Sequence, residues 1–404
     1  MIEARHTFDR APTYDGDLFA HEALQNPFPH YAAIRDLAPV VRLRNPNVLA
    51  IGRYADVRKA LQSPAILISG KGIGFNDFVN RPVPEPGILT SDGERHRKLR
   101  AALMQQLSPT GLRPIREMLR RMIDEQVERF TDAGTFDGIA EIARRLPLGA
   151  ISKLVGLPEE DRVKMLRWAA ASFNVVGVIE RDGAIIPALA DDLDAATEVR
   201  DYLATLDPST LRPGSWAADQ FEQVRSGGMT IGDARSSIRA FVLPSLDTTI
   251  YAMGNLLYNL ARNPDQYQLL RRDSSLISSA VFEGVRLSAV VRWFSRVAVE
   301  DYVADEVFIP EGERVMLLYG SANCDPRRYT NPDAFDVTRN PVDQLGWGAG
   351  PHLCAGMNLA RMEMEVLLEA LVQRVARIEV DEPTLGVNRG LFGFDMLPMR
   401  MTSA

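Results

Sequence analysis

The stretch GWGAGPHLCAG, residues 346–356, constrains this chain more than any other. Four glycines surround a cysteine, and the loop runs straight into a helical pattern with one apolar stripe of Leu359, Met362, Val366, Leu367 and Leu371. Glycines in such a loop take backbone conformations that side chains forbid, and they let a flat partner come close to the main chain. A helix starting near Met357 directs its free N–H groups toward the sulfur and is expected to lower the thiol pKa. Cys354 is therefore either a buried packing residue or a ligand.

The rest of the chain narrows the choice. Its only other cysteine is Cys324, so a four-cysteine zinc or iron–sulfur site is excluded, and no C-x-x-C-H occurs for covalent haem attachment. The five histidines, at positions 6, 21, 30, 96 and 352, are too scattered for a histidine cage. A lone thiolate with no other protein ligand suits an iron whose in-plane positions are filled by a porphyrin.

Residues 1–404 show no polar or Pro/Gly/Ser-rich linker, which predicts a single unit. A formal charge of -7 argues against nucleic acid or anionic lipid as the main partner. The opening residues lack a signal-peptide run and no segment offers about 20 uninterrupted apolar residues, so a cytoplasmic protein without a membrane span is expected.

Two strands around the Asn45-Pro46-Asn47 turn and a helix from about Asp56 are followed by SGKGIGFNDFVNRPVPEPG, which reads as a long loop. Residues 91–204 are mostly helical in pattern. Thr230 with Asp233 resembles a capping box, and the pattern runs to Asn263-Pro264, predicting one helix of about 30 residues, on the order of 50 Å long. A further helix over SSLISSAVFEGVRL leads into strands that turn at Pro310-Glu311-Gly312, then into an irregular segment crowded with turn residues.

With these pieces in order, GWGAGPHLCAG resembles the cysteine-ligand loop of the cytochrome P450 family, Trp347 standing where phenylalanine is usual. The resemblance covers nearly the whole chain. It implies a mainly α fold with a smaller β region, a triangular helical prism holding haem b between the long central helix and the cysteine loop. Cys354 would be the axial ligand of the haem iron, with Gly348 beside the porphyrin. Glu283 and Arg286 in FEGVRL, with Arg339, match the family's structural charge triad. His96, Arg100, Arg296 and His352 match the places that neutralise the haem propionates. Asp247 and Thr248 match the acid and alcohol that relay protons over the oxygen-binding face. Pro244-Ser245 departs from the usual Ala-Gly, and because proline has no N–H for the Ala240 carbonyl, the helix should bend or open there.

The implied reaction inserts one atom of O2 into a substrate C–H bond, with electrons from an external ferredoxin-type donor and its reductase. SGKGIGFNDF, FNVVG and GSANCDPRRY resemble segments of the bacterial branch that O-demethylates para-methoxybenzoate and related small aromatics. By that likeness Phe173, Val176, Leu246, Val291 and Phe294 would line an apolar pocket, with Ser69, Lys71 and Arg239 as partners for a carboxylate. Ala240 stands where that branch carries serine, which leaves a neutral methoxyphenol open. Other open readings are a terpenoid or polyketide substrate, a peroxide-driven haem enzyme, and a haem-based sensor or electron carrier.

Overall fold

The Asn45-Pro46-Asn47 turn joins strands Val40–Leu43 and Val48–Ile51, which pair antiparallel with Val41 opposite Ala50. The second of these, VLAI, is apolar at every position and buried at every position, as a strand covered on both faces must be. It is the third strand of a six-stranded mixed sheet, in the order Thr13–Tyr14, Val40–Leu43, Val48–Ile51, Arg314–Leu318, Trp293–Ala298 and Leu67–Ile68. The computed structural model describes residues 10–75, 80, 86–177, 180–181, 184–185 and 190–404, so part of the glycine- and proline-rich loop lies outside the described residues.

Most of the remaining chain is helical. In Pro109–Phe130 the Ser108 hydroxyl accepts from the Gly111 N–H at 3.2 Å, and Leu112, Ile115, Leu119, Ile123 and Val127 are buried at three- and four-residue steps. This face packs against the helix Met357–Arg374, whose predicted stripe of Leu359, Met362, Val366, Leu367 and Leu371 is entirely buried in the same core. Buried Tyr267 ties the end of that helix down, its hydroxyl lying 3.0 Å from the Leu371 carbonyl and 2.9 Å from that of Val375. Among the described residues no helix is long and apolar enough to cross a membrane.

The expected helix of about 30 residues is two helices, Ile231–Ser245 and Asp247–Arg262, separated by Leu246 at φ -90° and ψ -76°. The predicted start holds: Thr230 accepts from the Asp233 N–H at 3.0 Å. The break follows Pro244 by two residues. There the Ser245 hydroxyl donates to the Phe241 carbonyl and the Thr248 hydroxyl to the Pro244 carbonyl at 2.5 Å. Hydroxyls bonded back to the carbonyl four residues earlier favour bending, and here two of them flank the opening that proline starts.

Candidate haem-thiolate site

The cysteine loop is built from its own backbone. Cys354 donates its N–H to the Trp347 carbonyl at 2.8 Å, and Leu353 donates to Gly350 at 3.0 Å. Gly348 and Gly350 have φ of +74° and +69°, and a Cβ at Gly350 would fall 2.3 Å from the Leu61 carbonyl oxygen. The loop is pinned from outside by the helix Ile277–Ser288, whose Phe282 meets Trp347 edge-on at 5.3 Å. Trp347 in place of phenylalanine therefore packs as an aromatic anchor.

Glu283 and Arg286 on that helix are fully buried and joined by two hydrogen bonds of 2.7 and 2.8 Å. Arg339 donates to Glu283 at 3.1 Å, completing the triad. Arg286 also donates to the carbonyls of Asn323 and Pro332 at 2.8 and 2.7 Å. Asn323 then accepts from the Leu345 N–H at 2.7 Å, at the entrance to the cysteine loop. Sequence reading missed Asn323, because an asparagine in a turn-rich segment carries no signal of a partner 22 residues away.

The helix Gly93–Gln106 bridges the two halves of the site. Arg95 pairs with Asp233 of the split helix at 2.8 Å, while His96 reaches the cysteine loop, its ring centroid 4.3 Å from that of His352. His96 is buried and its Nε2 has no hydrogen-bond partner, and burial, with His352 and Arg100 beside it, pushes its imidazolium down to about 4. Burial also lowers Arg100, which faces Cys354. Arg296, buried in the neighbouring sheet, donates to the Ser295 carbonyl at 2.8 Å. His352 lies 3.4 Å from Asp92, another residue without a sequence signal. Burial raises the Asp92 carboxyl, but bonds from His352, Ser69 and Gly70 outweigh it and hold it below the usual range.

The unpartnered Nε2 of buried His96, with His352 packed on it and the positive charge of Arg100 facing the thiol, fits an anionic, flat group such as haem, whose carboxylates would be held by His96, Arg100, Arg296 and His352. The expected lowering of the thiol pKa needs correction. Burial drives the Cys354 thiol upward, outweighing the N–H groups of Gly356 and Met357 and the charge of Arg100.

Asp247 opens the helix Asp247–Arg262 and is half-buried. Burial pushes its carboxyl up to about 7, against the pull of Arg144 and with a push from Asp395. Of the expected pocket residues, Phe173 and Phe294 stack at 6.5 Å, and Val291 bridges to Leu391. Val176 packs against the cluster that holds Trp293. Leu246 is fully enclosed in the core, at the break between the two helices. Of the expected carboxylate partners, Ser69 donates its hydroxyl to the Leu89 carbonyl at 2.6 Å and Lys71 is exposed. Arg239 is half-buried, and burial lowers its pKa.

A cleft of about 1010 Å³ opens elsewhere, lined by Phe28, Asn255, Tyr258 and Phe392 among others, and none of the five expected pocket residues borders it. Cys324 does border it, buried beside Arg35 and Arg286, whose charges oppose the burial that pushes its thiol up to about 11.

Residues 215–383 match the sequence model of the family described as cytochrome P450. Cytochrome p450 CYP199A2 of Rhodopseudomonas palustris is 34% identical over 394 residues, covering 96% of this chain and 94% of its own length. Beta-dihydromenaquinone-9 omega-hydroxylase of Mycobacterium bovis is 29% identical over 99% of this chain and 81% of its own length. The solved structure of CalO2 superimposes with a TM-score of 0.81 at 26% identity, covering 96% of this chain and 99% of that one. Likeness of this extent, joined to a thiol loop and basic side chains of the right chemistry, makes the chain a member of the cytochrome P450 family, with haem b as its cofactor and monooxygenation as its activity.

Proposed function

We propose that this enzyme oxidises a small aromatic acid, O-demethylating a methoxybenzoate-like compound. The observation that carries the acid end is Arg239. It lies two helical turns before Asp247 on the split helix, its guanidinium is desolvated, and among the described residues no carboxylate offsets it. A partly desolvated cation of this kind favours an anionic ligand. The stacked Phe173 and Phe294 supply flat apolar surface for a ring. Resemblance to the branch that O-demethylates para-methoxybenzoate points the same way, whereas the omega-hydroxylase at 29% identity shows how widely substrates diverge at this distance.

Cys354 would hold the haem iron, with His96, Arg100, Arg296 and His352 on the propionates, and the bound haem supplies the oxidising chemistry from O2 and two electrons. Glu283, Arg286 and Arg339 hold the cysteine segment in place. Asp247 would hold the proton to be delivered and the Thr248 hydroxyl would orient it. Hydroxylation of a methoxy carbon yields a hemiacetal, which collapses to a phenol and formaldehyde. A ferredoxin-type protein with its reductase is the proposed electron source, docking on the face nearest Cys354. End-to-end alignment with relatives supports reading residues 1–404 as one catalytic unit.

Spin-state titrations test the substrate. Wild type should respond to para-substituted benzoates more tightly than to the matching methoxyphenols, and Arg239→Gln should weaken benzoate binding by about tenfold or more while leaving methoxyphenols unchanged. Equal responses to both classes, or tight responses only to large terpenoids or macrolides, would remove the aromatic-acid assignment. Turnover with peroxide but with no ferredoxin or flavodoxin system would overturn the proposed partner.

A further inference from the structure

Asp247 sits at the first turn of its helix, and Tyr251 follows one turn later on the same face. The Tyr251 hydroxyl donates to Asp395 Oδ1 at 2.6 Å, and Asp395 is exposed on strand Phe394–Met396. Two glycines make this contact fit. A Cβ at Gly393 would fall 2.4 Å from Tyr251 Cγ, and one at Gly386 would fall 2.4 Å from the Tyr251 hydroxyl oxygen and 2.7 Å from Asp395 Oδ1. Gly386 and Gly393 are themselves joined by a backbone hydrogen bond of 2.8 Å. The strands therefore close directly on the phenol, and side chains at either glycine would push it away.

Among the described residues, the groups facing Asp247 are few. Arg144 approaches from the start of the helix Arg145–Val155, Asp395 from the C-terminal strands, and Tyr251 from its own helix. Arg292 faces Tyr251 but is committed elsewhere, its Nε donating to the Leu391 carbonyl at 2.7 Å. Asp395 is thus the solvent-exposed acid that both Asp247 and Tyr251 sense.

We propose that protons reach Asp247 from solvent through Asp395 and Tyr251. Asp395 takes a proton from water. The Tyr251 hydroxyl accepts that proton and releases its own toward the Asp247 carboxylate, so one proton enters at Asp395, one leaves toward Asp247, and tyrosine ends as the phenol it began as. Rotation of the hydroxyl resets the relay. Burial and the bond to Asp395 hold the phenol far above its ordinary pKa, so it works as a neutral hydroxyl throughout. Tyr251 and Asp395 act only through Asp247, so this inference rests on the proton-delivery role proposed for that residue.

The experiment uses the full-length haem-loaded enzyme with Asp247→Asn, Tyr251→Phe, Asp395→Asn and the double variant Asp247→Asn/Tyr251→Phe. The readouts are product formed per NADH, the solvent deuterium isotope effect on NADH consumption, and an infrared titration of the Asp247 carboxyl. Tyr251→Phe and Asp395→Asn should each lower coupling by about tenfold and raise the isotope effect, while the double variant should match Asp247→Asn alone. Asp395→Asn should also lower the Asp247 midpoint, since a neighbouring negative charge is removed, and Asp395→Glu should restore coupling. If Asp247→Asn lowers coupling while the other two variants keep wild-type coupling and isotope effect, the route is overturned and the role of Asp247 stands. If Asp247→Asn itself leaves coupling intact, the proton-delivery reading fails and the route with it. Asp395 is on the surface, so its variant decides the matter even if Tyr251→Phe does not fold.

Discussion

At the scale of single residues, the carboxyl of Asp247 is where burial and chemistry meet. Folding raises its pKa from the ordinary carboxylate value to about 7, so the folded protein binds this proton more tightly than the unfolded chain does. The sign follows: its contribution to stability is complete below the ordinary carboxylate range and is lost as pH rises through about 7. Asp247→Asn should remove that slope. Urea unfolding at pH 5 and pH 8 should show wild type losing on the order of 1–2 kcal/mol more than the variant, partial exposure screening part of the full shift. Parallel losses in the two proteins would show that the carboxyl is ionised in the folded state at both pH values.

At the scale of elements, the split between Ile231–Ser245 and Asp247–Arg262 is the feature most particular to this chain. Pro244 gives the Ala240 carbonyl no N–H partner, and the hydroxyls of Ser245 and Thr248 take up the carbonyls of Phe241 and Pro244. Pro244→Ala restores the missing donor and should stabilise the protein by about 1–3 kcal/mol. It should also slow hydrogen exchange of the amides at residues 246–250. Unchanged protection there would place the cause of the break in the packing of Leu246 rather than in proline. The proline was legible as a disturbance, but its position was not: the chain stays helical through Ser245 and opens at Leu246, a residue whose side chain is wholly enclosed.

At the scale of the molecule, the Glu283–Arg286–Arg339 triad ties a helix, the turn-rich segment and the cysteine loop into one body. Glu283 and Arg286 are fully buried, so removing one partner strands the other's charge in the interior. Glu283→Ala should cost about 3–5 kcal/mol and lower haem retention, whereas Arg328→Ala, which breaks a partly exposed pair with Asp343, should cost about 1 kcal/mol or less. Equilibrium unfolding and the haem-to-protein absorbance ratio check both. Comparable losses for the two would mean that the buried triad contributes no more to stability than a partly exposed pair does.

What the sequence by itself determined is whatever depends on short spacing. Four glycines around Cys354, an acid and a base three residues apart, a threonine cap and an apolar stripe are each written within a dozen residues, and each recurs in the structure where its spacing puts it. Tertiary structure alone decided the contacts between distant parts of the chain. Asn323 at the mouth of the cysteine loop, Asp92 beside His352, and Asp395 on Tyr251, 144 residues away, are ordinary turn or surface residues until the fold brings their partners to them. It also decided the direction of the Cys354 thiol shift, because desolvation depends on everything packed around the sulfur while the helix end contributes only its nearest N–H groups.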